Sequence, residues 1–205
     1  RDTDRSRGLG DVYKRQTYNN VLVWRAMKAL AHLYPEQYGT LEQQAEAVRQ
    51  AIYTHCVFRD ADQKPYFGWS VDLKGQHNVY DEPPGSLQLL PYYGFCAPDD
   101  EIWRNTVAMI RAPSYAYSFA DAPIAEIGCA HAPYPWILSL CNSLLCGHKE
   151  QAFQELEQMD MDNGIACESV DPVLGTCTTG AAFATCAGFL CHSMKQASKE
   201  ASHAD

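Results

Sequence analysis

Apolar residues recur at a spacing of three to four positions in several segments of this chain, and proline, glycine, asparagine or aspartate separates the segments. This spacing places apolar side chains on one face of a helix, which can then be buried. The pattern predicts helices over the following ranges: 19–33, 41–55, 86–95, 99–110, 133–147, 149–159 and 179–194. Residues 196–205 are polar and are predicted to form a flexible tail.

The periodicity changes between Cys56 and Leu73. Two short runs of alternating apolar and polar residues flank a polar turn at 60–64. Alternation with a period of two is typical of a strand, so this segment predicts a small β-hairpin inserted between helices.

The more apolar helices begin near residues 20, 84, 133 and 180, and the last two intervals are 49 and 47 residues long. A unit of this size with two helices indicates a helical repeat, either an open solenoid or a closed ring. The long loops before these helices carry acids, a histidine and aromatic residues. Such loops converge at one end of a ring, so we favour an α/α toroid.

Composition and charge exclude several classes of protein. The 205 residues are 46% hydrophobic, which is too apolar for a disordered chain. No apolar run approaches the roughly 18 residues that a membrane span needs. The formal net charge of −9 argues against nucleic acid or an anionic membrane as a partner and leaves a neutral sugar open.

The nine cysteines include no CxxC pair, and several lie in apolar stretches. We interpret them as reduced, buried thiols of a cytoplasmic protein, because secreted domains tend to pair theirs. No predicted helix pairs a histidine with another His, Asp or Glu at the metal-binding spacing of i, i+4, so we predict no metal and no cofactor.

Residues 1–16 hold five basic residues and almost no apolar periodicity. The stretch resembles translated adaptor sequence of the kind left at the ends of metagenomic gene fragments, and a solvated basic arm is the alternative. We therefore expect the folded domain to begin at residue 17 and to extend to residue 195.

Four segments in order resemble one family. DEPPGSLQLLPYYGF (81–95), EIGCAHAPYPWILSL (126–140) and GIACESVDPVLGTCTTGAAFATCAGFL (164–190) are similar to motifs of glycoside hydrolase family 125. NNVLVWRAMKAL (19–30) matches its Ala-Asn-Met helix more loosely. The similarity covers nearly the whole chain from residue 17 to residue 195.

That family consists of metal-independent (α/α)6 enzymes that release terminal α-1,6-linked mannose from oligosaccharides with inversion. The resemblance implies an all-α fold, a partial (α/α)6 toroid and an oligosaccharide substrate. Two departures concern cysteines: Cys129 and Ala130 replace Ser-Pro, and Cys167 stands where a histidine often precedes the glutamate. A third, Thr-Gly-Ala-Ala at 179–182, replaces Thr-Arg-Pro-Trp and removes a sugar-contacting arginine.

Inverting glycoside hydrolysis needs two carboxyl groups roughly 6.5–9.5 Å apart, one as acid and one as base. Glu168 matches the family's C-terminal catalytic glutamate and is our candidate base, with a cap or a surface ion pair as the alternative. Asp81 and Glu82 match acids that bind hydroxyls of the terminal sugar. They could equally be an acidic turn that favours a helix N-terminus.

Further candidates for sugar binding lie in the same loops. His131 could donate to a substrate hydroxyl or cap its helix, and Glu126 is a weaker candidate. Tyr80 offers a stacking surface, although aromatic residues more often belong to a core. Asn20 could reach the pocket or cap the first helix.

In the resembling family the proton donor is an aspartate far upstream of the glutamate, at a position within or before residues 1–16 here. Only four of the six helical hairpins of such a ring are recognisable. We therefore expect this chain to lack the general acid and to show little or no hydrolysis. The alternatives are a toroid enzyme acting on α-glucosides and a non-catalytic helical-repeat binding protein, which predicts Glu168 on the outer surface.

Overall fold

The computed structural model describes residues 15–201, which are mostly helical. Most of the segment interpreted as adaptor sequence (1–14) and the end of the predicted tail (202–205) lie outside the described residues. Arg15–Gln16 form a short strand, and the last helix continues through Ala201. None of the helices in this range has the length and apolarity that a membrane crossing requires.

Groups of helices and groups of short strands follow one another along the described chain. The helices are α1 (Thr17–Leu33), α2 (Pro35–Tyr38), α3 (Leu41–His55), α4 (Glu101–Ile110), α5 (Ile137–Leu145), α6 (Lys149–Leu156) and α7 (Ala184–Ala201). The strands are β1 (Arg15–Gln16), β2 (Val57–Arg59), β3 (Pro65–Phe67), β4 (Ser70–Val71), β5 (His77–Asn78), β6 (Ser169–Val170) and β7 (Cys177–Thr179). The antiparallel pairings are β1–β4–β5, β2–β3 and β6–β7.

The inserted hairpin is confirmed. Val57 pairs with Phe67 and Arg59 with Pro65, on either side of the predicted polar turn. In the turn, the Asp60 carboxylate accepts hydrogen bonds from the backbone N–H groups of Asp62 and Lys64, each at 2.9 Å. An aspartate that binds the backbone two residues on is a local turn signal, which explains why the sequence predicted this element well.

The helix predicted over 86–95 is wrong. The segment forms two 3-10 turns, Pro83–Gly85 and Leu87–Leu89, followed by further turns. Pro91 has no N–H to continue a helix, and Gly94 has a φ of +71°, which a helix does not allow.

Two predicted helices begin later than expected. α5 starts at Ile137 rather than 133, because Val170 N–H donates to the Pro135 carbonyl and Ile137 N–H to that of Glu168. α7 starts at Ala184 rather than 179, because Cys177–Thr179 pairs with Ser169–Val170 as β7. At both positions, residues predicted to begin a helix are instead hydrogen-bonded to a distant segment of the chain.

The described residues form two compact units. The first comprises residues up to Tyr80 together with Leu90–Thr106, and the second comprises Asp81–Leu89 together with residues from Val107 onward. In the first unit, α1 packs against α3. The Phe95 ring packs edge-on against Trp24 at 5.3 Å and stacks on Tyr53 at 5.4 Å.

In the second unit, α5 is the central helix. Its residues from Ile137 to Leu144 are all buried, and α6, α7 and the two 3-10 turns pack around it. The Asn142 amide donates to the Pro83 carbonyl at 3.0 Å and ties the first 3-10 turn to this helix. The loop that precedes α5 thus leads into a buried, closely packed helix.

Candidate functional site

Glu168 lies in the second unit, directly before β6, and is half-buried rather than on the outer surface. Its backbone N–H donates to the carbonyls of Thr179 and Gly180, at 3.1 and 3.0 Å. The Thr179 hydroxyl donates to Oε2 of the carboxylate at 2.7 Å. The strand pairing therefore fixes the backbone of Glu168, and one hydroxyl fixes the orientation of its side chain.

Gly180 leaves space for this glutamate. A Cβ atom at position 180 would stand 2.5 Å from the Cβ of Glu168, and the φ of Gly180 is +59°. Any side chain there would be strained twice, by the backbone conformation and by the contact. The family's arginine position is thus a glycine that contacts the candidate base.

A second group of side chains comes together in the same unit, and we call Glu82, Cys129 and His131 the open cluster. The Sγ atom of Cys129 lies 3.2 Å from Nδ1 of His131, and Oε1 of Glu82 lies 3.4 Å from the same nitrogen. The Glu82 and His131 side chains are 32% and 39% exposed. Two predicted sugar-binding residues therefore meet each other at a solvent-accessible position.

The Cys129 thiol connects this cluster with the candidate base. Burial raises its pKa most, and the negative charges of Glu82 and Glu168 raise it further, while backbone hydrogen bonds at Ala132 and His131 oppose the shift. Both carboxylates therefore act on one sulfur atom. The loops at 81–89 and 126–136 therefore bring an acid, a histidine and a thiol together, and the charge of Glu168 acts on that thiol.

Asp81 is fully buried, unlike its neighbour Glu82. Its carboxylate accepts hydrogen bonds from the Ser86 hydroxyl at 2.6 Å and from the Leu87 N–H at 2.8 Å. Burial raises its pKa to about 7, although these hydrogen bonds act in the opposite direction. These contacts support the alternative interpretation of Asp81, an acid that holds the 3-10 turns.

Glu126 is also fully buried, in a group that we call the sealed cluster: Arg111, Glu126, Ser139, Ser143 and Glu155. Its Oε2 accepts from the Ser139 hydroxyl and lies 3.2 Å from a guanidinium nitrogen of Arg111. That nitrogen also donates to the Ser143 hydroxyl at 2.8 Å. Glu126 is therefore the partner of a nearly buried cation.

Glu155 completes the sealed cluster from helix α6. It is 2% exposed, and its Oε1 accepts from the Gln151 amide at 2.7 Å. Burial raises its pKa to about 7, and the charge of Glu126 raises it further. The positive charge of Arg111 acts in the opposite direction, but less strongly than burial and Glu126 do.

Asn20 and Tyr80 belong to the first unit. The Asn20 amide donates to the Gln16 carbonyl at 2.7 Å, within the first turn of α1. Tyr80 packs edge-on against Trp69, with ring centroids 4.9 Å apart. Trp136 in the second unit is 3% exposed and belongs to the core.

Sequence reasoning missed two features of the site. Arg111 partners Glu126 from 15 residues away, with no local signal. The open cluster holds three atoms of metal-ligating type, although the residue spacing on the predicted helices indicated no metal. Cys129 and His131, two residues apart, were the available signal, and Glu82 joins them only in the folded chain.

The fold and the site together define a class, a mostly helical protein whose loops next to the buried helix α5 carry carboxylates. The sequence profile of the metal-independent α-mannosidase family (GH125) matches residues 12–194. The chain belongs to this family, which confirms the resemblance found in the sequence.

A solved structure supports the assignment. A metal-independent α-mannosidase of Streptococcus pneumoniae, in a non-productive complex with α-1,6-mannobiose, matches with a TM-score of 0.70 at 19% identity. The match covers 88% of this chain and 45% of that protein, so the chain spans about half the length of its relative. This likeness shows the fold and confirms the predicted all-α class of an α/α-toroid family. No curated protein matches the chain.

Proposed function

We propose that this chain carries the base-side part of the active site of an inverting, exo-acting glycoside hydrolase that releases α-1,6-linked mannose from oligosaccharides. The observation that carries the proposal is the position of Glu168, half-buried and oriented by Thr179, with its charge acting on Cys129 of the open cluster. Family membership supports the sugar, and the α-1,6-mannobiose bound by the relative motivates the linkage.

Each polar group has a proposed role. Thr179 holds Oε2 of Glu168, so we assign Oε1 to the water that attacks the anomeric carbon. Glu82 accepts hydrogen bonds from sugar hydroxyls and His131 donates to them. Asn20 and Tyr80 remain predicted sugar contacts. Asp81 and Glu126 support the loops from inside.

The second carboxyl group is expected upstream of residue 17, as the resemblance implies. Protonation of the leaving oxygen matters most for a poor leaving group such as a sugar hydroxyl. We therefore expect this chain to hydrolyse α-1,6-mannobiose little or not at all. A substrate whose leaving group needs little protonation bypasses this requirement.

α-Mannosyl fluoride is such a substrate, so its hydrolysis tests the proposed base without the general acid. We expect the 205-residue chain to release fluoride from it, and to do so faster than from α-glucosyl fluoride. Glu168→Gln should lower the rate by about 10²–10⁴-fold. Glu157→Gln, which changes an exposed acid after α6, should leave it unchanged.

The product reports the stereochemistry. Proton NMR recorded at once after mixing should show β-mannose as the first anomer, as inversion requires. α-Mannose as the first product, or fluoride release that survives Glu168→Gln, would overturn the proposed mechanism. Faster release from the glucosyl fluoride would favour the α-glucoside alternative.

The location of the protein belongs to the same proposal. All nine cysteines are free thiols, and eight of them are buried or half-buried. Free thiols persist in a reducing compartment, which supports the proposed cytoplasmic location.

A further inference from the structure

The donor atoms of the open cluster are of three different kinds. A carboxylate oxygen of Glu82, the Sγ atom of Cys129 and a ring nitrogen of His131 all lie within 4.8 Å of one another. Thiolate, imidazole and carboxylate are the ligands that Zn²⁺ takes in proteins. The chemistry of the set therefore suits a soft divalent cation better than Mg²⁺ or Ca²⁺, which prefer oxygen alone.

The separations also suit such an ion. Bonds of about 2.3 Å to sulfur and about 2.0 Å to nitrogen and oxygen put tetrahedral S and N atoms about 3.6 Å apart, and N and O atoms about 3.3 Å apart. The observed distances are 3.2 Å from Cys129 to His131 and 3.4 Å from His131 to Glu82. Small side-chain rotations would bring all three atoms to a common ion.

The backbone already holds two of the donors in place. The Cys129 N–H donates to the Ala132 carbonyl at 3.1 Å and closes a tight turn. A Cβ at Gly128 would stand 2.7 Å from the Tyr134 carbonyl oxygen, so this turn needs a glycine. Trp136 packs edge-on against the His131 ring at 5.2 Å. The third donor, Glu82, follows the anchored Asp81.

Charge and access favour a cation as well. The Glu82 carboxylate supplies negative charge at the cluster, 3.4 Å from the His131 nitrogen. Cys129 is buried, whereas the Glu82 and His131 side chains are partly exposed. An ion can therefore enter from the solvent side and keep a water at its outward position.

We propose that Glu82, Cys129 and His131 form a three-ligand site for Zn²⁺ or a similarly soft divalent cation, with water as the fourth ligand. The family is described as metal-independent, so the ion is an added ligand and not part of the hydrolytic step. If the proposed function holds, the ion occupies Glu82 and His131 and competes with the sugar for them.

Co²⁺ is the probe for this site, because a thiolate ligand gives it an intense charge-transfer absorption. We expect the 205-residue chain to bind one equivalent of Co²⁺ with this band and with the strong visible bands of a tetrahedral ion, and Zn²⁺ should displace it. The Zn²⁺ concentration needed to displace Co²⁺ gives the affinity of the site for Zn²⁺. No sugar is present, so failure here leaves the hydrolase proposal intact, and failure of the fluoride assay leaves this one intact.

Two substitutions test the proposed ligands, and a third is the control. Cys129→Ser should abolish the charge-transfer band and weaken Zn²⁺ binding by at least about 100-fold. Even the loss of a residue that only hydrogen-bonds to a metal ligand lowers metal affinity by about 10–100-fold. Glu82→Gln should keep the band and weaken binding. Cys191→Ser, which removes an exposed thiol in α7, should bind as the parent does.

The opposite results are equally definite. A band that persists in Cys129→Ser, or a parent chain that shows no band with excess Co²⁺, overturns the site. Unchanged Zn²⁺ affinity in a folded Glu82→Gln overturns the three-ligand assignment. Circular dichroism of each variant shows that it is folded before the metal is added.

Discussion

The open cluster and the sealed cluster use similar groups in opposite environments. In the sealed cluster the Glu126 side chain is 0% exposed and its partner Arg111 is 12% exposed, whereas in the open cluster the Glu82 and His131 side chains are 32% and 39% exposed. A buried acid must be paired or neutral, because desolvation penalises its charge. An exposed acid has no such need and can exchange its partner for a ligand.

Two loops contribute to both environments. Asp81 is buried and Glu82, the next residue, is partly exposed. Glu126 is buried, and His131, five residues further on, is exposed. In each loop the inner residue holds the backbone and the outer residue is available for chemistry. The difference shows that an acid next to a site can hold the loop of that site in place without contacting a ligand.

Removal of the sealed cluster's cation gives the largest expected effect. Arg111→Ala should lower the free energy of unfolding by about 3–5 kcal/mol, because it leaves Glu126 buried without its partner. Urea denaturation monitored by circular dichroism measures the loss. Arg104→Ala, an exposed arginine on α4, is the control and should change stability by less than about 0.5 kcal/mol. Equal effects of the two variants would contradict the sealed environment.

Glu155 provides a pH-dependent test of the same cluster. Its pKa is raised from 4.5 to about 7, so between these values the folded chain keeps a proton that the unfolded chain has lost. This carboxyl therefore reduces stability as pH rises from 4.5 to 7. Glu155→Gln removes that contribution, and its stability relative to the parent should increase across this window by about 1–3 kcal/mol and then stay constant.

Urea denaturation of both chains at pH 4.5, 6, 7 and 8 gives this difference, in which the other titrating groups cancel. Glu157→Gln is the matched control, because Glu157 is exposed one position after α6 ends. Its stability should follow the parent at every pH. A difference for Glu155→Gln that does not depend on pH would show that this acid is not desolvated.

The open cluster should give the smallest effect on stability. Glu82→Gln should change the free energy of unfolding by less than about 0.5 kcal/mol, because partly exposed ion pairs contribute little. The same urea experiment, run beside Arg111→Ala, measures it. A loss above about 2 kcal/mol would place Glu82 with the structural acids and remove the contrast between the two clusters.

Local signals predicted much of this chain. The bounds of α3 agree with the predicted 41–55, and the hairpin lies where the Asp60 turn placed it. The motifs around residues 81, 126 and 168 identified the family. They did not separate Asp81 from Glu82, because adjacent acids in a loop carry no periodicity that tells which one is buried.

The sequence by itself determined the helical class, the inserted hairpin and the family, since all three follow from spacing and local motifs. Only the tertiary structure decided where α5 and α7 begin, because the pairing of 135–137 and 177–179 with 168–170 takes those residues from the helices. It also decided that Glu126 pairs with Arg111 and that Glu82 pairs with His131. Both partnerships depend on burial and on contacts between distant loops, which no local pattern encodes.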